Sequence, residues 1–205
     1  MPTRRTLIHY ALGSLTAAVS WLGSPASAQS ATERASAFVK STGDKLVAVV
    51  NGPGSPRDKR TNLTQIIEQA VAVDEVARFC LGRFWRSASP EQQKRYTELF
   101  HQVLVTNITA KLGEYQGVRF TMGRAQQRDE DAVVSTVVER PNNPPTNVDW
   151  IISDPADHPK IIDVVAEGTS LRLTQRSDYA SYLSHNNNNV DALISAMQQQ
   201  VAQAG

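Results

Sequence analysis

The sequence predicts an α+β fold in which a block of helices precedes a four-stranded antiparallel sheet and two further helices close the chain. Apolar residues recur every three or four positions up to about residue 115, alternate or run together between 117 and 175, and return to helical spacing after 176. The segments between the predicted strands are short and turn-like, so they cannot hold the helix that a parallel crossover requires. The sheet is therefore expected to be an antiparallel meander.

Three helices are predicted before the longest one. The first spans 31–50 and ends in the run Asn-Gly-Pro-Gly-Ser-Pro at 51–56, which cannot continue a helix. The second spans 63–73. Asp74 is expected to cap the third, which ends in the segment 82–87 close to Phe84 and Trp85.

The longest predicted helix begins after Ser89, because Ser89 and Gln92 can form a capping box and Pro90 suits the first helical position. Large apolar residues then recur on one side as far as Leu112. Such a helix of about 23 residues would be about 35 Å long at 1.5 Å per residue. We expect it to be the main helix of the core.

Four strands are predicted after Gly117. Val118, Phe120 and Met122 alternate with polar residues, 132–139 is a Val/Thr run, 147–152 alternates again, and 161–174 is rich in Val, Ile and Leu. The closing helices are expected at 176–184 and 190–202, within a closing segment 176–203. The asparagine run 186–189 between them tolerates left-handed backbone.

Residues 1–28 have the pattern of an export signal. Two arginines at positions 4 and 5 precede an uncharged apolar run, and Ala26-Ser27-Ala28 is the small-x-small pattern of a cleavage site. The apolar run is shorter and more polar than a membrane span of about 20 residues. We expect cleavage after Ala28, with residues 29–205 forming one domain outside the cytoplasm; the twin-arginine route and ordinary secretion both remain open.

The composition argues against nucleic-acid binding. The formal net charge is +1 over 205 residues, and loss of Arg4 and Arg5 with residues 1–28 leaves 19 basic against 20 acidic residues. Cys80 is the only cysteine, which excludes an internal disulfide and a cysteine-based zinc cluster. We expect its thiol to be a small buried hydrophobic group.

The sequence contains no recognisable catalytic constellation. A nucleophile elbow, a phosphate loop, HExxH, CxxC and GxGxxG are absent, and the histidines are scattered, with His101 expected on the solvated side of its helix. Asp163 and Glu167, read as one strand, would be about 13 Å apart, too far to act as one acid and one base on a shared bond. An enzyme on a cone-shaped sheet is thus a weaker alternative, and no metal site is expected.

Two blocks of the sequence resemble the MlaC family, also called toluene-tolerance proteins. The first is Leu-Gly-Arg-Phe-Trp-Arg-Ser-Ala-Ser-Pro-Glu-Gln at 81–92, with Phe100 and Tyr115 downstream. The second is Asp-Val-Val-Ala-Glu-Gly-Thr-Ser-Leu at 163–171, followed by Arg-Ser-Asp-Tyr at 176–179 and Val-Asp-Ala-Leu-Ile at 190–194. The chain departs from the pattern at the asparagine run 186–189 and at Leu-Thr-Gln 173–175.

The resemblance implies a single domain with helices over 31–115, a sheet over 117–175 and closing helices over 176–203, arranged as a cone around an apolar lipid cavity. It implies a periplasmic carrier that holds a phospholipid by its acyl tails as cargo, without a cofactor. The expected partners are an outer-membrane lipoprotein complex and the periplasmic subunit of an inner-membrane ABC transporter, and the carrier is expected to be monomeric. A carrier of another membrane lipid such as a hopanoid, and a protein adaptor with a closed core, remain alternatives.

Matching positions and strand alternation predict the residues that line the cavity. The headgroup is expected to face water, because no arginine cluster in the sequence is dense enough to indicate a phosphate site, and Arg83 and Arg86 are expected to be exposed helix charges. The predicted tail-lining residues are Phe79, Trp85, Leu104, Ile108, Phe120, Val137, Val148, Trp150, Ile152, Val165 and Leu171.

Overall fold

The computed structural model describes the backbone of residues 25–203 and the side chains of residues 30–203. The predicted export signal lies outside the described residues up to position 24. The helices are α1 (Pro25–Asn51), α2 (Pro56–Ala70), α3 (Val73–Leu81), α4 (Pro90–Ala110), α5 (Leu171–His185) and α6 (Val190–Gln203), with 3-10 segments at Gly82–Arg86 and Leu112–Tyr115. The strands are β1 (Arg119–Arg128), β2 (Asp131–Glu139), β3 (Thr146–Ser153), β4 (Lys160–Ala166) and β5 (Thr169–Ser170).

The start of α4 confirms the predicted capping box. The Ser89 hydroxyl accepts the backbone N–H of Gln92, and the Gln92 side chain accepts the N–H of Ser89 at 2.9 Å. The predicted cap of the third helix is wrong, because the N-cap of α3 is Ala72, without a side-chain hydrogen bond. Asp74 instead lies in the first turn, where a negative charge is also favourable.

The second helix starts earlier than predicted. Ser55 and Asp58 form a capping box, with Pro56 at the first helical position, so α2 includes a polar first half that carries little apolar periodicity. The helix therefore begins one residue after the cap, at Pro56, and not at residue 63. Its first turns bring the basic run at 57–60 into a helix.

The sheet is an antiparallel meander in the order β1-β2-β3-β4-β5, as predicted, but it has five strands and not four. The segment predicted as one strand over 161–174 turns back at Glu167 and Gly168, which both have positive φ, 47° and 78°. Two consecutive left-handed residues make a tight hairpin turn. The two-residue strand β5 then pairs with the end of β4.

The last third of that predicted strand is helical. The Ser170 hydroxyl accepts the N–H of Leu173 and caps α5, which begins at Leu171 and not near residue 176. The alternation of Leu171 and Leu173 with polar residues is typical of a strand, yet both side chains are more than half exposed. The cap at Ser170 thus favours a helix in this segment, although the spacing of its apolar residues is typical of a strand.

One face of the sheet is apolar across four strands. Residues paired across neighbouring strands share a face, and two cross-strand rows of this apolar sheet face are Met122, Thr136, Val148 and Ala166, and Ala125, Val134, Trp150 and Val164. Helix α1 lies against it, with Ala35 and Val39 packed in one cluster with Val134. Gly43 permits this approach, because a Cβ there would be 2.5 Å from the Phe120 ring.

The second apolar centre lies among the helices. It consists of the buried apolar side chains of α3, the segment after it, α4, α5 and α6, together with Ile67 of α2, and we call it the helical cluster. Tyr96 is fully buried at its centre and donates its hydroxyl proton to the Ala77 carbonyl at 2.9 Å. Helix α4 packs mainly on α6, with further contacts to α3 and α2.

The loop between α5 and α6 adopts the predicted left-handed backbone. Asn187 and Asn188 have φ values of 54° and 56°, and asparagine tolerates this region better than most residues. Among the described residues, no helix combines the length and the apolar character needed to cross a membrane.

Candidate functional site

The predicted tail-lining residues of the sheet lie on two opposite faces. Phe120, Val148, Trp150 and Ile152 are on the apolar sheet face, whereas Val137 is on the other face with Val165. Because the Val/Thr run of β2 is apolar at almost every position, the sequence does not show which of its side chains share a face. The pairing of Thr136 with Val148 places Thr136 on the apolar sheet face and Val137 on the other. The predicted set therefore does not surround one space between the sheet and a single layer.

The predicted helical residues are also divided. Phe79, Trp85 and Leu104 are partly buried and pack against the helical cluster. Ile108 is 39% exposed and Leu171 is 53% exposed. Leu104 and Ile108 lie on α4, and Thr109 of α4 borders the groove described next.

A groove of about 600 Å³ lies between the first turns of α2 and the end of α4. This volume is in the usual range for small-molecule sites. We call it the basic groove; its lining residues are Val50, Gly54, Pro56, Arg57, Lys59, Arg60, Thr109, Leu112, Gly113 and Gln116. It joins three cationic side chains on one rim to apolar side chains of α1 and of the segment after α4.

Aliphatic residues follow the groove-lining residues along α2 and α4, and we call these residues the apolar seam. One and two turns beyond Lys59, on the same side of α2, lie Leu63 and Ile67, which are 1% and 5% exposed. On α4, Ile108 lies one turn before Leu112, and Leu104 lies one turn before Ile108. These aliphatic residues therefore lie on two helices that are in contact with each other, and those of α2 are closed off from solvent.

Lys59 and Arg60 of the basic rim already take part in other interactions. None of the groove-lining residues is Asp or Glu. The nearest carboxylate in sequence, Asp58, accepts hydrogen bonds from the Ser55 hydroxyl and N–H, and these bonds lower the pKa of Asp58. The Lys59 ammonium donates to the Val50 carbonyl at 2.8 Å, which leaves it two further donors.

The basic rim was missed from the sequence, although the run Arg-Asp-Lys-Arg at 57–60 was visible. Its basic members are not spaced like a known phosphate motif, and the segment precedes the helix that was predicted at 63–73. Only the contact between the start of α2 and the end of α4 shows that the three cations border one groove.

A second groove, of about 710 Å³, lies between α3 and the outer side of α4. It is lined by Trp85 and by polar side chains, among them His101, whose Nε2 lies 2.8 Å from Asp74 Oδ1. His101 is therefore partly exposed, as expected, but paired with a carboxylate.

The described residues include the side chains that the sequence offered as metal ligands, as paired carboxylates or as a thiol. No group of three or more His, Cys, Asp or Glu side chains among residues 30–203 could hold a metal ion. Glu167 lies in the hairpin turn and not in a strand with Asp163, so the predicted placement of these two carboxylates on one face of one strand is wrong. Cys80 is buried, and desolvation raises the pKa of its thiol to about 12.

Comparison with known proteins identifies the relatives of this fold. The family model described as MlaC protein matches residues 40–199, which is more than three quarters of the chain. Among solved structures, the phospholipid-binding protein from Ralstonia solanacearum in complex with a phospholipid superposes with a TM-score of 0.70 at 23% identity. The match covers 83% of this chain and 98% of that one, so the two proteins share a fold.

Proposed function

Since the chain belongs to the MlaC family, we propose that it is a lipid carrier that binds a phospholipid by its acyl tails. The observation that carries the proposal is the basic groove, where apolar side chains of α1 and of the segment after α4 lie beside three cations of α2. Such an arrangement suits a molecule with aliphatic chains and a polar end. The likeness of the fold to a phospholipid-bound protein supports the same assignment.

The seam offers a binding surface rather than a reaction centre, so the lipid is cargo. Ile67 of α2 and Leu104 of α4 belong to the same packed cluster, so the helices must separate for tails to enter. The predicted residues of the apolar sheet face, Phe120, Val148 and Trp150, are proposed to receive a tail that passes beyond the helices. No step of this function requires an acid, a base or a metal.

The energetics favour a carrier that needs a partner to release its lipid. At about 0.8 kcal/mol per buried CH₂, two tails of roughly 16 carbons give a gross stabilisation above 20 kcal/mol. Costs of binding cancel part of it, since non-covalent affinities stay within about 18 to 21 kcal/mol. Spontaneous release is therefore expected to be slow, and a docking partner is expected to loosen the helices.

We place the protein in the periplasm, where it exchanges lipid between an outer-membrane lipoprotein complex and the periplasmic subunit of an inner-membrane ABC transporter. This role would maintain the lipid asymmetry of the outer membrane. The support is the export-like pattern of residues 1–28 and the family assignment. Transfer of labelled phospholipid to vesicles should accelerate when the periplasmic subunit is added, and equal rates with and without it would contradict the proposed hand-over.

Native mass spectrometry of the purified mature protein, followed by solvent extraction, tests the cargo directly. A co-purifying diacyl phospholipid is the expected result. A triterpenoid in its place would support the hopanoid carrier. A protein that stays empty, even after incubation with phospholipid in detergent, would contradict both carriers and favour an adaptor with a closed core.

A further inference from the structure

The centre of the apolar sheet face is closed to solvent. Val134 and Ile152 are fully buried there, and Val148 is 8% exposed. An acyl tail can therefore reach this face only if an element that covers it moves. Helix α1 is such an element, since Ala35 and Val39 pack in one cluster with Val134 and Ile152.

Helix α1 crosses the sheet diagonally and is bonded to it at two places. At the first, the Arg34 guanidinium donates to the Ala156 carbonyl in the β3–β4 connection. At the second, the Asn51 side chain accepts the N–H of Gly117 at 2.8 Å and donates to the Val118 carbonyl at 3.0 Å, next to the start of β1. The stretch of α1 between these two places is about 25 Å long at 1.5 Å per residue, which is comparable to the length of the eight-residue strand β3.

The contact between α1 and the sheet is close, although α1 contributes small residues to it at three positions. Ala35 and Val39 have short side chains, and Gly43 has none. A Cβ on Gly43 would lie 2.5 Å from the Phe120 ring. Small side chains bury little apolar surface, so moving α1 away from the sheet costs less than separating two layers of large side chains.

The two bonded places hold α1 differently. The end at Asn51 is held by its two hydrogen bonds, by the Lys59 ammonium on the Val50 carbonyl at 2.8 Å, and by the short connection 52–55 to α2. The Arg34 side chain is exposed and contacts a connection between two strands. Exposed contacts of this kind open more readily than buried ones. Movement of α1 is therefore expected to begin at Arg34, with Asn51 as the pivot.

We propose that α1 is a lid over the apolar sheet face, which opens at Arg34, pivots at Asn51 and admits an acyl tail between α1 and the sheet. The inference rests on the proposed lipid carriage and names the element that moves. Opening leaves the helical cluster intact, because none of the described α1 side chains belongs to it. The rate at which a tail reaches or leaves the sheet face is then set by the opening at Arg34.

The experiment locks the lid with a reversible crosslink. Arg34→Cys and Ala156→Cys are introduced together with Cys80→Ala, and the two new thiols are joined by a short reagent that contains a disulfide. Uptake of a fluorescent phosphatidylethanolamine from detergent micelles is measured before crosslinking, after crosslinking and after reduction. We expect crosslinking to slow uptake at least about tenfold, because the open form is a minor state that the lock removes. Reduction should restore the rate.

The matched control places the same crosslink where no movement is expected. Arg128→Cys and Asp131→Cys, again with Cys80→Ala, join paired residues of β1 and β2 next to their turn. Crosslinking this variant should leave lipid uptake unchanged. Urea unfolding of both variants before crosslinking checks that a slow uptake is not a lost fold.

A second comparison needs no crosslink. Arg34→Gln should speed the release of bound phospholipid about two- to tenfold, because it weakens one hydrogen bond that closes the lid. Lys40→Gln removes a cation of α1 that pairs within the helix and should leave the release rate as in the wild type. The unfolding free energy of both variants is measured alongside the release rate.

Three outcomes would overturn the lid while lipid carriage itself stands. These are equal uptake with and without the crosslink at Arg34, an equal loss of uptake in the β1–β2 control, and unchanged release from Arg34→Gln. Failure of the wild type to take up the phospholipid would instead contradict the proposed function.

Discussion

The Asp163 carboxylate accepts the backbone N–H of Arg172 at 3.1 Å and lies 3.5 Å from the guanidinium Nε of the same residue. The same carboxylate accepts the Ser170 hydroxyl at 2.6 Å. The Arg172 guanidinium also stacks over the Phe79 ring, 4.5 Å from its centre. The buried Asp163 carboxylate thus connects β4 to the start of α5. Through its contact with Phe79, Arg172 connects this pair to α3 and to the helical cluster.

Replacement of Asp163 by Asn should destabilise the protein by about 3 kcal/mol, since removal of one partner leaves a buried charge uncompensated. The Asp163 side chain is 5% exposed and that of Arg172 is 22% exposed, so solvent would replace the lost interaction only in part. Urea unfolding measures the change. Ser170→Ala, which removes one hydrogen bond and the cap of α5, is the graded control at about 1 kcal/mol; a smaller loss for Asp163→Asn than for Ser170→Ala would contradict this account.

The free energy of unfolding is expected to fall in alkaline solution, because one buried cysteine and two buried tyrosines stay neutral in the folded protein. Burial raises the pKa of Cys80 from 9.0 to about 12, and it also raises the pKa of Tyr96 and of Tyr179. Above pH 9 the unfolded chain loses these protons before the folded one does, so their contribution is complete below pH 9 and declines as the pH rises towards 12. The decline is about 1.4 kcal/mol per pH unit for each group that ionises only in the unfolded chain.

Urea unfolding between pH 7 and pH 10.5 tests this sign. Cys80→Ala should flatten the alkaline part of the profile, because one of the titrating groups is removed. Tyr115→Phe, at an exposed tyrosine, is the control and should leave the slope as in the wild type. A stability that rises above pH 9 would be incompatible with the burial of these groups.

The Cys80 thiol should resist chemical modification in the folded protein. It is 1% exposed, and few molecules carry a thiolate at neutral pH when the pKa is about 12. A thiol reagent at pH 7.5 is expected to react at least about a hundredfold more slowly with the native protein than with the urea-unfolded chain. Comparable rates in the two states would show that the helical cluster opens readily at α3.

Ile108→Asp should reduce the amount of co-purifying lipid and leave the protein folded. Ile108 is 39% exposed on α4 beside the basic groove, so a charge there meets the proposed cargo and not the core. Bound lipid is measured after solvent extraction, and the unfolding free energy is measured in urea. Gln102→Glu, which adds a charge at an exposed site of the same helix, should keep the lipid.

Leu104→Glu should behave differently from Ile108→Asp. Leu104 packs against the helical cluster, so an acid there is expected to cost about 2 to 4 kcal/mol of stability as well as lipid binding. Equal stability of the two variants would show that Leu104 faces the cargo more than the core. If Ile108→Asp unfolds the protein, this part of α4 belongs to the ordinary core and does not contact the cargo.

Local chemistry was predictable wherever neighbouring residues decide it. The capping box at Ser89 and Gln92, the short connections of the meander, and the left-handed asparagines Asn187 and Asn188 depend on residues close in sequence. The MlaC relationship was equally visible, because its two blocks are contiguous. These features can therefore be predicted from short stretches of the sequence.

Two features of the sheet could not be predicted in this way: which side chains of β2 share a face, and where the sheet ends. A Val/Thr run such as β2 is apolar at almost every position, so only its pairing shows that Val137 and Thr136 face opposite sides. The turn at Glu167 and Gly168 and the cap at Ser170 are also hidden in a run rich in Val and Leu. A strand pattern in the sequence does not say which side chains will be covered, because that depends on what packs on each face.

The sequence by itself determined the α+β class, the order of the elements, the main helix and the family. Only the tertiary structure decided that the cations at 57, 59 and 60 meet the segment after α4 at one groove. The physical reason is that helix caps and tight turns are short-range interactions, whereas a groove is made by side chains far apart in the chain. Their meeting depends on how α1, α2 and α4 pack, which no local pattern encodes.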